Sequence, residues 1–199
     1  AASSHDLVLT SGGVSTGEAD HVRAAVESIG RLVFWRVGIK PGRPVAMGVI
    51  PASRTGDGAA FMGLPGNPVS SMVTFEQLVR PCILKMSGMK QYGRPVVQAE
   101  IQEKFTKRND RRHFLRGVLT REQGVLKVRT TGEQGSGILT SMVKANCLID
   151  VSEEIETLQP GDVVNVQVLT NQIWTNEPPP PTSGHGTPQA TECCSRAGG

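Results

Sequence analysis

Residues 59–86 read AAFMGLPGNPVSSMVTFEQLVRPCILKM, and the fold class turns on this stretch. Ala59 to Leu64 is a short apolar run of the kind that forms a buried strand. Pro65-Gly66 follows, with proline and then glycine at the central positions of a type II turn. Asn67 and Pro68 fit a helix N-cap and the first helical residue. The apolar spacing then predicts a long helix to about Met86, which Pro81 should kink or break.

Upstream, Asp6 to Thr10 (DLVLT) reads as a buried strand that ends in the turn Ser11-Gly12-Gly13. Asp20 to Ile29 has helical spacing, with Val22, Ala25, Val26 and Ile29 on one face and Gly30 as a stop. Leu32 to Ile39 and Val45 to Ile50 are the next strands, and Arg54 to Gly58 is hairpin-like. The order strand, helix, three strands, helix places the region up to about residue 88 in the α/β class. A parallel sheet is normally buried on both faces. Two helices hardly cover one, so further cover is expected from a missing part or a partner. The chain opens at Ala1 with no methionine and reads as entered in the middle of a fold. Downstream, Ser87 to Pro95 resembles a linker. Strand-like runs then follow at Val96–Phe105, Phe114–Thr120, Val125–Thr130, Cys147–Val151 and Val163–Leu169, which predicts a small barrel or sandwich. From Asn176 the chain is rich in Pro, Gly, Ser and Thr and is expected to be disordered. The expected division is therefore 1–88 (partial α/β), 89–175 (small all-β barrel) and 176–199 (tail).

With 38% hydrophobic and 20% charged residues, the 199-residue chain can build a core. Aromatics are only 4%, which argues against stacking platforms for single-stranded nucleic acid, and a net charge of +3 is too small to imply nucleic-acid binding. No apolar run approaches the roughly 20 residues of a membrane span. No signal peptide is visible. These observations predict neither a nucleic-acid nor a membrane partner. Cys82 and Cys147 lie in apolar runs and read as small buried residues, while Cys193 and Cys194 lie in the polar tail. Without a CxxC pair or Cys/His ligand spacing, a structural zinc site is not expected. The pattern fits a reducing cytoplasm.

Three loops carry chemistry. In Ser11 to Asp20 (SGGVSTGEAD), Gly12 and Gly13 allow close backbone approach to a ligand, and the following helix start favours an anion. Ser15 and Glu18 equally fit a plain capping box. Asp20 suits the helix dipole or a Mg²⁺ ion. Lys40-Pro41-Gly42-Arg43 is a second type II turn, which would hold two cations close together. They are either solvated or offset by an oxyanion such as phosphate or molybdate. Pro65 to Ser71 is the third loop, read as a capped helix start or an anion site with the Ser70 hydroxyl exposed to it. Ligands of open α/β sheets sit at the carboxyl ends of strands, so the three loops together suggest a multiply charged ligand. The basic run Arg111-Arg112-His113 to Arg116 by itself reads as a solvated face, and Gln134 to Gly137 as a turn. No histidine of His5, His21, His113 and His185 sits in a triad-like context.

TSGGVSTGEAD, IKPGRP, GLPGNPVSS, FLRGVL and TTGEQGSG, in this order, resemble the C-terminal half of the molybdopterin molybdenumtransferases, the MoeA and gephyrin E-domain family. The resemblance spans about residues 6 to 170. It implies an α/β molybdopterin-binding domain followed by a β barrel. It also implies a Mg²⁺-dependent transferase that inserts molybdate into adenylylated molybdopterin and releases AMP. By position it implies catalytic roles for Asp20, Lys40 and Arg43, with Asp20 also the metal-associated carboxylate. It implies cofactor-binding roles for Gly12, Gly13, Ser15, Glu18, Pro65, Gly66, Asn67, Ser70, Arg116 and Ser136. Arg43 stands where many members have lysine. The family forms homodimers, and the resemblance implies molybdopterin adenylyltransferase and apo-molybdoenzymes as partners. The family's N-terminal half is absent from this sequence, which leaves a catalytically inactive ligand-binding or scaffold fragment as the alternative.

Overall fold

The computed structural model describes residues 4–14, 21–51, 58–107, 110–170 and 174–175. The first elements are β1 (Leu7–Ser11), α1 (His21–Ile29), β2 (Arg31–Arg36), β3 (Ile39–Lys40), β4 (Pro44–Ile50) and β5 (Ala59–Leu64). A long helix follows as α2 (Pro68–Thr74), a π-helical segment Phe75–Val79, and α3 (Arg80–Met86). The second half holds β6 (Val96–Ile101), β7 (Phe105–Thr106), β8 (Arg112–Glu122), β9 (Val125–Thr130) and α4 (Thr140–Lys144). It ends with β10 (Cys147–Val151), β11 (Thr157–Leu158), β12 (Val163–Val168) and β13 (Trp174–Thr175).

β1, β5, β4 and β2 form a four-stranded sheet in that order. It corrects the expectation of a parallel sheet. β1 and β5 run parallel, but β4 is antiparallel to both β5 and β2. Antiparallel pairs tolerate a partly solvated face, so the demand for cover is smaller. One face packs Val26 of α1 against Ala46, Ile50 and Phe61, with Val22 at its margin. On the other, Met62 and Leu64 meet Val79 and Phe75 of the long helix. The expected apolar face of α1 is only half used, because Ala25 is exposed and Ile29 is 58% exposed.

Pro81 does not end the helix. Proline removes a main-chain donor and crowds the preceding turn. The wider π-helical turn stands immediately before it, with the Arg80 N–H donating to the Phe75 carbonyl five residues back. The helix then continues to Met86.

The second half is a closed barrel. β8 pairs with β9 and β10, β10 with β12, β12 with β6, and β6 with β9, which closes five strands on themselves. β8 and β9 are joined by Gln123 and Gly124, both at positive φ (50° and 85°), the twist that a two-residue hairpin requires. The core holds Ile101, Leu115, Leu119, Val128, Cys147, Ile149 and Val166. Gly117 is required where β8 meets β10, because a Cβ there would lie 2.9 Å from both Cys147 Sγ and Ile149 Cγ1. Cys147 is buried as expected, and burial pushes its thiol up to about 12. Cys82 is only half-buried. Cys193 and Cys194 lie outside the described residues.

Sheet and barrel are joined by more than a linker. β3, expected as the end of the second strand, leaves the first sheet and pairs in parallel with β8, setting Ile39 opposite Arg112 and Lys40 opposite His113. Val69 and Val73 of α2 share a buried cluster with Phe114 of β8 and Leu148 of β10.

Candidate functional site

A cavity of about 870 Å³ opens between the first sheet and the barrel. It is lined by Lys40 of β3, by Gly42 and Arg43 from the turn after it, by Ser70 from α2, and by Arg111, His113 and Arg116 from β8 and its approach. Glu133, Gln134, Gly135 and Ser136 from the loop after β9 complete the polar wall.

Each of these groups is held by its local structure. Gly42 has φ +112°, and a Cβ on it would run into Thr74 Oγ1 of α2. Only glycine lets the turn lie against the helix and carry Lys40 and Arg43 to the cavity. The predicted positive φ is present here, on a chain whose Lys40–Pro41 bond is cis. Arg116 is 1% exposed, in the middle of the longest strand. Its Nε donates to Ser141 Oγ (3.0 Å) and one terminal nitrogen donates to the Gly135 carbonyl (3.2 Å). Gln134 clasps the Arg116 backbone, accepting from its N–H (2.8 Å) and donating to its carbonyl (3.2 Å). The loop carrying Ser136 is thus fixed to the strand carrying Arg116.

Among the described residues no carboxylate pairs with Lys40, Arg43 or Arg116. The neighbouring Arg112 is different. It points away and binds Asp150 in two-pronged fashion at 2.7 Å through each nitrogen. Burial lowers the Arg116 guanidinium to about 10. His113 falls to about 4, first through burial and then through Lys40, Lys107 and Arg111. Desolvated cations without a counter-charge are costly, and they become favourable when an anion enters. Glu133 is the one carboxylate among the described lining residues. Hard divalent cations take several oxygen ligands. Among the described residues no cluster of three or more His, Cys, Asp or Glu side chains could hold one. This wall suits an oxyanion.

The structure brings Lys40, Arg43, Ser70, Arg116 and Ser136 to one cavity. Gly12, Gly13, Pro65, Gly66 and Asn67 do not line it. Gly12 and Gly66 instead let two loops touch, with a Cβ on Gly66 falling 3.5 Å from the Gly12 Cα. The Gly12 N–H donates to the Leu64 carbonyl (2.9 Å). The type II turn expected at Pro65-Gly66 is absent, since Gly66 has no positive φ. The segment is held otherwise, by the Ser71 hydroxyl donating to the Pro65 carbonyl. Asn67 occupies the N-cap position, but its side chain makes no cap bond. It donates from Nδ2 to Ser136 Oγ (3.1 Å), a bond from the first sheet's loop to the barrel's loop. Ser15, Glu18 and Asp20 lie outside the described residues, and with them the proposed cap and metal site.

Arg111 and His113 correct the solvated-face reading of the basic run. Arg111, His113 and Arg116 face the cavity while Arg112 faces Asp150. The cation inside the apolar run FLRGVL signals Arg116 alone, because a charge within a buried strand needs a partner. The role of the 133–136 loop was not readable from its glycines.

Over residues 1–85 the sequence matches the family model described as a probable molybdopterin binding domain. Over residues 98–169 it matches the MoeA C-terminal region (domain IV). The chain belongs to the MoeA family. It is 43% identical over 175 residues to the molybdopterin molybdenumtransferase of Haemophilus influenzae, covering 87% of this chain and 42% of that protein. It is 32% identical over 169 residues to molybdopterin molybdenumtransferase 1 of Mycobacterium tuberculosis, covering 82% and 39%. A crystal structure of the molybdopterin biosynthesis MoeA protein from Pyrococcus horikosii superposes with a TM-score of 0.64 at 28% identity, covering 85% of this chain and 38% of that one. The chain therefore spans about two fifths of the curated relatives it matches. Both MoeA-family stretches contribute to the cavity, Lys40 to Ser70 from one and Arg111 to Ser136 from the other.

Proposed function

We propose that the cavity binds a tetrahedral oxyanion, and that in the whole protein this anion is molybdate on its way into molybdopterin. The observation that carries the reading is Arg116, a buried guanidinium with no ion-pair partner among the described residues, placed with Lys40, Arg43, Ser70 and Ser136 around one cavity. Guanidinium has five N–H donors, and the two bonds to Ser141 and Gly135 leave others for a ligand. Charge-assisted bonds from several cations, with hydroxyls completing the shell, match the charge and shape of molybdate. Arg43 supplies a planar fork in place of a point charge and keeps the positive potential.

The names of the relatives support the wider reading, a transferase of molybdenum cofactor biosynthesis. In it, molybdate is inserted into adenylylated molybdopterin, AMP is released and Mg²⁺ assists. The cations of the cavity would hold the oxyanion and stabilise developing negative charge. A role for Mg²⁺ rests on Asp20, outside the described residues. Homodimer formation, exchange with a molybdopterin adenylyltransferase and delivery to apo-molybdoenzymes, with a cytoplasmic location, complete the proposal. The scaffold alternative draws support from none of the geometry above.

Calorimetric titration of the full chain with molybdate tests the site. Binding is expected, and Lys40→Ala and Arg116→Gln should each weaken it by about tenfold or more, as loss of a charge-assisted contact implies. Unchanged affinity in both variants would remove the cavity as the oxyanion site.

A further inference from the structure

His113 lines the cavity and is 3% exposed. It sits opposite Lys40 in the β3–β8 pairing and opposite Val151 in the β8–β10 pairing. Its ring meets Phe105 edge-on, with centroids 5.9 Å apart and planes at 62°. Among the described residues, the charges that act on it are positive. Lys40 comes from β3, Lys107 from the segment after β7, and Arg111 from the approach to β8. Arg43 and Arg116 stand farther along the cavity wall, where Glu133 is the one acidic lining residue among those described. Asp150 on the adjoining strand is taken by Arg112. Lys107 is itself locked in place, its Nζ donating to the carbonyls of Ser152 (2.6 Å), Glu153 (2.8 Å) and Arg111 (3.3 Å). Lys107 is therefore built into the fold, and the backbone of Lys40 is placed by the β3–β8 pairing.

Taking the cavity as an oxyanion site, we propose that His113 couples anion binding to proton uptake. A dianion seated among Lys40, Arg111 and Arg116 enters together with a proton that the His113 imidazole accepts from solvent. In the empty cavity, burial and three nearby cations keep the ring neutral. A dianion cancels the repulsion from those cations and adds an attraction of its own, so the charged ring becomes the favoured form. No bond other than N–H forms, and the proton comes from bulk buffer. Linkage makes the effect reciprocal. If binding brings a proton, lowering the pH must tighten binding, by at most about tenfold per pH unit for one proton. His113 then supplies an extra positive charge only when there is an anion to receive it.

The test is calorimetric titration of the full chain with sodium molybdate, and with sodium sulfate as a second probe, at pH 6 and pH 8. Each titration is run in two non-oxyanionic buffers of unlike ionisation heat, so that the difference counts protons. The expected result is uptake approaching one proton per anion at pH 6 and falling toward zero at pH 8. In His113→Gln the uptake should vanish at both pH values, and the pH dependence of affinity that it causes should go with it. Uptake that is absent in the wild type, or that persists in His113→Gln, overturns the proposal. NMR of the His113 ring in the wild-type chain, with and without molybdate, decides the matter even if the variant fails to fold. A ring that titrates at the same pH in both states also overturns it. Retained anion binding without uptake would leave the cavity reading standing and remove only the role of His113. Molybdate affinity insensitive to Lys40→Ala and Arg116→Gln would remove both.

Discussion

Arg116, His113 and Gly42 show what single positions contribute. Arg116 and His113 sit where a charge is costly, and Gly42 sits where only a hydrogen in place of a Cβ fits against Thr74. The low value of His113 has a consequence for folding without ligand. Its folded value of about 4 lies below its ordinary value near 6.5, so the unfolded chain binds the proton first. The contribution of the neutral ring is complete above about pH 6.5. It is lost as pH falls toward 4 and then levels off, amounting to about 3 kcal/mol. Thermal melts of the wild type and His113→Gln between pH 7.5 and 4 should therefore diverge, with the wild type losing more stability. Parallel curves would contradict the burial of this ring. Of the residues that line the cavity, Lys40, Arg43, Ser70, Arg116 and Ser136 were picked out by motif order. Arg111 and His113 were not, because a basic run alone does not reveal which members face inward. Alternation sets Arg111 and His113 on one side of the strand and Arg112 and Arg116 on the other, so which of them reaches the cavity is decided by tertiary pairing.

At the scale of elements, apolar period and turn residues carried most of the fold. β5, β10 and the limits of the long helix fall close to where the sequence places them. The departures have physical causes. The helix survives Pro81 by taking a π turn before it, which no propensity at Pro81 alone discloses. β3 is two residues long and gains its identity from β8, not from its own pattern. α4 is a five-residue helix with Met142 turned to the junction cluster, too short for a helical period to register. Closure of the barrel depends on the close approach of β8 to β10 over Gly117. Gly117→Ala should destabilise the protein by about 1–3 kcal/mol through overpacking against Cys147 and Ile149. Chemical denaturation measures it, and an unchanged midpoint would mean that the β8–β10 pair is looser than described.

For the whole molecule, the cavity exists because sheet and barrel are held in register. β3 pairs with β8, Asn67 reaches Ser136, and Gln77 and Gln167 exchange side-chain bonds of 2.7 and 3.2 Å. Arg94, in the segment read as a linker, binds Glu76 through two nitrogens (2.8 and 2.9 Å) and the Leu169 carbonyl (3.0 Å). These contacts lie between segments far apart in sequence, so the succession of an α/β region and a barrel was legible while their junction was not. The site belongs to that junction, with cations from both parts. Hydrogen exchange of the full chain with and without molybdate tests this most directly. The account predicts that molybdate slows exchange in two separate stretches, residues 39–43 beside the sheet and residues 111–117 with 133–137 on the barrel. Slowing confined to one of the two, or to neither, would contradict an oxyanion held between them.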